Sequence, residues 1–267
     1  MPHIHVNGVN LYHEFHGPED GELLILNNGV FMSTASWAFQ LPALSRRHRV
    51  LAYDMRGQGR SDHPDAPYTW DQHRQDLVAL MDALVLEKAH MVGTSYGGEL
   101  NLLMGIHHPA RCQSLVVITS VSHSDPLLVA MIERWRLAAQ LNDGPAFFRL
   151  IYADVYSEAF LQQRPELIPM AEKRYAELDL PAAVRLIECF QALDVTAELS
   201  KITVPTCIAS AELDLLKPPR YGELMHRLIP GSEYHLIPGS GHVAVLEKAG
   251  EVNTLILGFL AKHPFNP

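Results

Sequence analysis

A serine between glycines offers the first chemistry in this chain. Residues 93–97 read Gly-Thr-Ser-Tyr-Gly, after the apolar run 89–92 and before a segment that can form a helix up to His107. A Gly-x-Ser-x-Gly turn between a buried strand and a helix exposes the serine hydroxyl. The glycines leave room where the two backbones approach, and the helix N-terminus favours negative charge there. The pattern predicts Ser95 as a nucleophile, although the bare motif also occurs by accident.

A serine hydroxyl reacts at neutral pH only with a base to take its proton and a carboxylate to orient that base. In a fold of alternating strands and helices the chain order is serine, acid, histidine. Asp214 lies in the loop after the apolar run 205–210, and His242 ends a Gly-Ser-Gly-His stretch before the last helical segment. The sequence therefore predicts a triad of Ser95, Asp214 and His242.

Other residues compete for these roles. Glu212 lies two residues before Asp214, but Asp214 is deeper in its loop and has the shorter side chain. Asp125 follows an earlier apolar run, but Pro126 and a helical region begin directly after it. His235, on a strand, and His263, near the end, are better explained as structural residues.

Acyl transfer also needs donors for a developing oxyanion. We expect one at the backbone N–H of Tyr96, directly after the nucleophile. The other is predicted at Val30 N–H, in the loop Asn27-Asn28-Gly29 and onwards, where Gly29 permits a tight turn. Ordinary turn chemistry would also account for this loop.

The surrounding elements predict an α/β fold. Continuous apolar runs indicate buried strands at 22–27, 49–53, 89–92, 114–119 and 205–210, with a further strand at 233–237 and an initial hairpin of 3–6 and 11–15. Helical patterns lie between them at 70–86, 95–107, 218–228 and 243–261. The alternation favours a mostly parallel, twisted, eight-stranded sheet with helices on both faces.

One region interrupts this alternation. Residues 122–193 read as helices without strands, at 127–141, 144–155, 157–163, 169–178 and 181–193. We interpret 122–193 as an inserted helical cap, and residues 1–121 and 194–267 as one core domain.

Composition limits the possible partners. The net charge is −9, which disfavours binding to nucleic acid or to an anionic membrane surface. The three cysteines show no disulfide or metal-ligand pattern, and the N-terminus lacks the features of a signal peptide. We expect a cytoplasmic enzyme with no cofactor, no metal and a small-molecule acyl substrate. The oligomeric state stays open, a homodimer being one option.

The whole chain resembles the α/β-hydrolase superfamily, in the branch of 3-oxoadipate enol-lactonases and similar small carboxylesterases. The resemblance rests on LILNNGV, YDMRGQGRSD, VGTSYGG, ITVPTCIASAELD and PGSGHVAVLEK, which occur from end to end in the family's order. It implies the same triad of Ser95, Asp214 and His242, the oxyanion donors Val30 and Tyr96, and a cap that shapes the substrate pocket.

The oxyanion loop departs from many relatives, which carry His-Gly where this chain has Asn28-Gly29. Residues 28–37 are also similar to the acyltransferases of rhamnolipid synthesis, which join two 3-hydroxyacyl units held as thioesters. We therefore predict Asn28, Phe31 and Trp135 as substrate-binding residues. Asn28 could instead brace its loop, and the two aromatic residues could be ordinary packing residues.

Three functions remain in competition. The first is hydrolysis of an ester, lactone or thioester through an acyl-enzyme on Ser95, and the second is acyl transfer to an alcohol by the same triad. The third is a ligand receptor on a hydrolase scaffold, which the complete triad disfavours. Epoxide hydrolases and haloalkane dehalogenases share the fold but need an aspartate nucleophile, so Ser95 disfavours both.

Overall fold

The structure is a computed structural model that describes residues 2–265. At its centre lies the predicted eight-stranded sheet, with the order β1-β2-β4-β3-β5-β6-β7-β8. Numbered along the chain, the strands are β1 (His3–Val6), β2 (Val9–His16), β3 (Glu22–Asn27), β4 (His48–Tyr53), β5 (Ala89–Thr94), β6 (Cys112–Ile118), β7 (Thr206–Ala211) and β8 (Glu233–Ile237).

Strand directions confirm a mostly parallel sheet. β1 pairs antiparallel with β2, and β2 pairs antiparallel with β4. All further pairings, from β4 through β8, are parallel. Because parallel strands end at the same edge, the loops after β3, β5, β7 and β8 converge there.

Alternating side chains of the strands fill a core on each face. In β3, Leu24 and Leu26 contribute to one hydrophobic cluster, whereas Ile25 contributes to the other. This division explains why residues 23–26 are all apolar, since both faces of the strand are removed from water there.

The α-helices are α1 (Leu41–Leu44), α2 (Trp70–Ala83), α3 (Tyr96–His107), α4 (Pro126–Ala139), α5 (Gly144–Val155), α6 (Glu158–Gln163), α7 (Leu167–Tyr175), α8 (Leu180–Gln191), α9 (Arg220–Leu228), α10 (Ala244–Glu247) and α11 (Ala249–Leu260). α2 and α3 pack on the face of Ile25, whereas α11 packs on the opposite face. The predicted layers of helices on both faces are thus confirmed.

The predicted helix over 243–261 is wrong in one respect, because the segment forms two helices separated at Lys248. Lys248 has φ −129° and ψ 42°, outside the helical region. The Glu247 carboxylate accepts hydrogen bonds from Gly241 N (2.9 Å) and Ser157 N (2.8 Å). These bonds tie α10 to the loop of His242 and to the residue before α6, rather than to α11.

Five helices, α4 to α8, lie between β6 and β7. Asp125, Asp143 and Asp179 cap the N-termini of α4, α5 and α8, each accepting a 2.9 Å hydrogen bond from a backbone N–H of the first turn. α7 begins at Leu167 instead of the predicted residue 169, because Pro169 lies in the first turn, where no backbone N–H is needed. The division of the chain at 121/122 and 193/194 stays a prediction.

Polar contacts hold this helical block against the loops of the sheet. His63 Nδ1 lies 2.8 Å from Asp179 Oδ2, and Arg185 forms an ion pair with Asp65. Arg174 of α7 donates to the carbonyl oxygen of Phe31, in the loop after β3. The block is therefore anchored directly beside the edge where the strand loops converge.

Candidate active site

Ser95 lies in a sharp turn between β5 and α3. Its φ of 52° is positive and its ψ is −121°, a strained conformation for a residue with a side chain. The close backbone approach that the sequence predicts is present: a Cβ on Gly97 would lie 2.0 Å from Asn27 O, and one on Gly93 would lie 2.3 Å from Gly97 O. Only glycine fits at these two positions.

The predicted base and acid form a chain of hydrogen bonds with this serine. His242 Nε2 is 3.0 Å from Ser95 Oγ, and His242 Nδ1 is 2.8 Å from Asp214 Oδ2. All three residues are buried. With Asp214 ionised, Nδ1–H donates to the carboxylate, which leaves Nε2 free to accept the serine proton.

The Asp214 carboxylate is fixed by its own loop. Its Oδ1 accepts hydrogen bonds from the backbone N–H groups of Leu216 (3.0 Å) and Lys217 (2.7 Å). The loop thereby orients Oδ2 toward His242 and compensates the buried charge.

The competing carboxylates lie elsewhere. Glu212 Oε2 accepts a 2.8 Å hydrogen bond from Gly239 N, and Asp125 caps α4. Neither bonds His242, whose carboxylate partner in residues 2–265 is Asp214.

The loop after β3 presents Val30 beside the serine. Gly29 O accepts hydrogen bonds from Met32 N (3.2 Å) and Gln58 Nε2 (3.1 Å), whereas Val30 N–H has no hydrogen-bond partner within residues 2–265. Tyr96 N–H belongs to the first turn of α3, where amides lack an intrahelical acceptor. The two predicted oxyanion donors are therefore available.

Gly29 lies in the turn that the sequence predicts, since its carbonyl oxygen accepts a hydrogen bond from Met32 N, three residues later. The positive φ in this loop belongs to Phe31 (61°). A Cβ at Gly29 would lie 2.9 Å from Met32 Sδ and 3.3 Å from Thr94 O, so a side chain there would crowd the loop.

Asn28 does not fit the predicted role in substrate binding. Its side chain is fully buried and lies outside the cavity lining. Nδ2 donates to Tyr53 O (3.1 Å), and Oδ1 accepts from Trp37 Nε1 (2.7 Å). Both ends of the amide are thus engaged in bracing the loop, the alternative that the sequence left open.

A cavity of about 270 Å³ opens at the nucleophile. Ser95, His242, Val30, Phe31 and Trp135 are among its lining residues. The rest of the lining is mostly aliphatic or aromatic, and comprises Gly29, Met32, Ala35, Ser36, Ala38, Phe39, Thr94, Ile151, Val155, Tyr156, Ala171, Arg174, Tyr175, Val243, Val245 and Leu246. The cavity therefore suits an apolar group attached to a carbonyl.

Phe31 and Trp135 both line the cavity and also pack against other rings. The Phe31 ring centroid is 5.3 Å from that of Phe147 and 6.2 Å from that of Trp135. Trp135 Nε1 donates to Asp154 Oδ2 (2.7 Å), which fixes the indole. The side chain of Tyr96 does not line this cavity and stacks on Trp70, with the ring centroids 4.2 Å apart.

The sequence analysis missed two charged residues next to the serine. Lys217 Nζ donates to Ser95 Oγ (3.1 Å) and to Glu99 Oε1 (2.5 Å). Glu99 is fully buried and Lys217 is 2% exposed at the side chain. Burial raises the pKa of Glu99, and the neighbouring Lys217 opposes that shift. A sequence signal existed, because Glu99 is the one acidic residue of a helix that is otherwise uncharged before His107.

Within residues 2–265, no group of three His, Cys, Asp or Glu side chains is arranged to hold a metal ion. No helix in the same range is long and apolar enough to cross a membrane.

Comparisons with known proteins agree with the fold. Residues 22–249 match the family described as the alpha/beta hydrolase fold, and the chain belongs to this family of enzymes. A relative from Variovorax paradoxus (strain S110), provisionally named carbamate hydrolase RutD, is 32% identical over 257 residues, which cover 94% of this chain and 96% of the relative.

Solved structures show the same likeness. The enol-lactonase of Burkholderia xenovorans LB400 superposes with a TM-score of 0.91 at 25% identity, covering 97% of this chain and 100% of that one. MGS-M2, an alpha/beta hydrolase enzyme from a deep-sea metagenome library of the Medee basin, gives a TM-score of 0.90 at 27% identity, covering 99% of each chain. The resemblance noted in the sequence is thereby confirmed.

Proposed function

We propose that this α/β-hydrolase cleaves a carboxylic ester, lactone or thioester through an acyl-enzyme on Ser95. The observation that carries the proposal is the hydrogen-bond chain beside an apolar cavity. His242 Nε2 lies 3.0 Å from Ser95 Oγ, and His242 Nδ1 lies 2.8 Å from Asp214 Oδ2. A binding protein has no need of an activated nucleophile, so a receptor function is disfavoured.

The reaction has two halves. Ser95 Oγ attacks the acyl carbon as its proton passes to His242 Nε2, and the resulting oxyanion accepts hydrogen bonds from Val30 N–H and Tyr96 N–H. His242 then protonates the leaving alcohol or thiol as the carbon–heteroatom bond breaks. In the second half, water loses a proton to His242 and attacks the acyl carbon. His242 then returns this proton to Ser95 Oγ as the bond between Oγ and the acyl carbon breaks, which releases the acid and the free serine.

The cavity supports an apolar acyl group as the part of the substrate that binds deepest. Its mostly apolar wall, with Phe31 and Trp135 fixed near the reacting centre, removes hydrocarbon surface from water. We expect turnover to increase from acetyl to longer acyl chains until the chain fills the cavity.

The test compares the wild-type protein with Ser95→Ala. p-Nitrophenyl esters of increasing acyl length, a lactone, an acyl thioester and a carbamate serve as substrates, the carbamate because of the name of the Variovorax relative. Loss of the nucleophile should lower kcat by about 10⁴ or more, with an unchanged melting temperature. Ser45→Ala, a serine that does not line the cavity, is the matched control.

Two results would contradict the proposal. Ester turnover by Ser95→Ala at the wild-type rate would exclude Ser95 as the nucleophile. Turnover of the carbamate alone would exclude the proposed substrate class. Product analysis with 3-hydroxyacyl thioesters separates hydrolysis from acyl transfer: free acid alone supports hydrolysis, whereas a condensed ester would identify an acyltransferase that uses the same triad.

A further inference from the structure

A second charged pair, Lys217 and Glu99, contacts the nucleophile in addition to His242. Lys217 belongs to the loop that carries Asp214, and Glu99 belongs to the first turn of α3. The Lys217 backbone N–H binds Asp214 Oδ1 (2.7 Å), while its ammonium group binds Ser95 Oγ (3.1 Å). One residue thus contacts both the acid and the nucleophile of the triad.

The ammonium group is enclosed. Glu99 Oε1 is 2.5 Å from Nζ, and Nζ lies 4.3 Å from the ring centroid of Phe190 in α8. Glu99 is itself held, because Oε1 also accepts from Val121 N (3.2 Å). A small apolar pocket of about 20 Å³ adjoins Lys217 and Ser95, with room for about one water molecule. In such a site a charge acts with little screening by solvent.

Burial of this pair has no structural explanation in packing alone. Replacement of a buried ion pair by well-packed apolar residues of similar volume is often neutral or stabilising, so stability alone does not account for these two charges. Besides Glu99, the Lys217 ammonium group has a second acceptor, Ser95 Oγ, which is the oxygen atom that the triad activates.

We propose that Lys217 is a catalytic residue, whose ammonium group stabilises negative charge on Ser95 Oγ, and that Glu99 is the residue that positions it. The inference rests on the proposed function and deepens it. When His242 removes the proton, the oxygen gains negative character, and the hydrogen bond from Lys217 strengthens. The same bond stabilises Oγ when it leaves the acyl carbon in the second half of the reaction.

The role predicts a kinetic difference from a merely structural lysine. If Lys217 only kept His242 in place, its loss would have no effect once His242 is absent. If Lys217 stabilises the charge on Oγ directly, its loss still slows the reaction of Ser95 when His242 is absent. In that case no other cation lies beside the charge.

The experiment measures the rate at which a fluorophosphonate labels Ser95. In this reaction the Oγ–P bond forms, the P–F bond breaks, fluoride leaves, and the serine proton passes to His242 or to solvent. Intact-mass spectrometry follows the labelling of the wild type, Lys217→Met, His242→Ala and the double variant. Lys201→Met is the matched control, since Lys201 pairs with Glu198 on the surface (2.7 Å).

We expect Lys217→Met to label about tenfold to hundredfold more slowly than the wild type. His242→Ala/Lys217→Met should be slower than His242→Ala by at least about tenfold, whereas Lys201→Met labels at the wild-type rate. If Lys217→Met does not fold, Glu99→Gln/Lys217→Met, which leaves no unpaired charge, replaces it in both backgrounds.

Labelling of the Lys217 variant at the wild-type rate would overturn the inference, as would equal rates for His242→Ala and its double variant. Neither result would affect the proposed function, which fails instead if the wild-type Ser95 is not labelled.

Discussion

Two buried pairs meet at Ser95 Oγ, and each consists of a nitrogen group backed by a carboxylate. On one side Asp214 holds His242, and on the other Glu99 holds Lys217. The histidine can accept and return a proton, whereas the ammonium group can only donate hydrogen bonds. At the same oxygen atom, Ser95 Oγ, His242 can therefore transfer the proton while Lys217 stabilises the charge.

The largest effect should come from the histidine side. Asp214→Asn leaves the shape of the site unchanged but no longer holds His242 with Nδ1–H as the donor, so we expect kcat for p-nitrophenyl esters to fall by about 10⁴. The melting temperature serves as the control for folding. A loss below about tenfold would indicate that another carboxylate, such as Glu212, orients the histidine.

The lysine side should instead dominate stability. Lys217→Met leaves Glu99 buried without a countercharge, which we expect to lower the free energy of unfolding by about 3–5 kcal/mol. Glu99→Gln/Lys217→Met removes both charges and should recover most of this loss. Urea titrations of both variants check this, and equal destabilisation of the two would show that the charge imbalance is not the cause.

Acid sensitivity should come from histidines outside both pairs. Burial lowers the pKa of His73 to about 3, with a further contribution from Arg56, and burial lowers that of His90 to about 3, with a contribution from His48. Both remain neutral in the fold but bind protons below pH 6.5 when unfolded. Stability is therefore lost as pH falls below 6.5, by about 2 kcal/mol per histidine at pH 5.

Urea titrations at pH 7 and pH 5 measure this dependence. His73→Phe removes one group that binds a proton when unfolded, so the difference in unfolding free energy between the two pH values should fall by about 2 kcal/mol. Phenylalanine should fit, because neither ring nitrogen of His73 has a hydrogen-bond partner within residues 2–265. An unchanged pH dependence in this variant would contradict the assignment.

The smallest effect should appear in acyl-chain selectivity. Trp135→Ala enlarges the cavity near the reacting centre, so we expect the preferred p-nitrophenyl ester to become longer and kcat/KM for short esters to fall by about tenfold. The ratio of kcat/KM values across the ester series is the measurement. A uniform decrease at every length would show that Trp135 supports the fold rather than the choice of substrate.

The sequence could predict what depends on local order. Ser95 lies in a motif with its strand and helix on either side, and Asp214 and His242 follow in the expected order, each after a strand. The sheet was predictable for the same reason, since runs such as 22–27 are apolar on both faces. Side-chain direction was not predictable in this way: Asn28 turns to Trp37 and Tyr53 because of a loop geometry that no spacing encodes.

Lys217 and Glu99 were missed because 118 residues separate them and only the closed fold brings them together. Glu99 is the one charge of its helix before His107, a pattern that indicates burial but not the partner. Lys217 lies in a loop with Asp214 and Arg220 nearby, so its sequence context gives no sign of burial. The helical periodicity also could not predict the break at Lys248, because the break depends on the Gly241 and Ser157 amides that bind Glu247.

The most direct test of the account is the mass of the protein during turnover. After acid quenching of a reaction with p-nitrophenyl hexanoate, the account predicts a species heavier by one hexanoyl group, with the added mass on the peptide that contains Ser95. The species should be absent in Ser95→Ala. Turnover with the acyl group found on another residue, or with no adduct under conditions where release of p-nitrophenol shows a burst, would contradict the account.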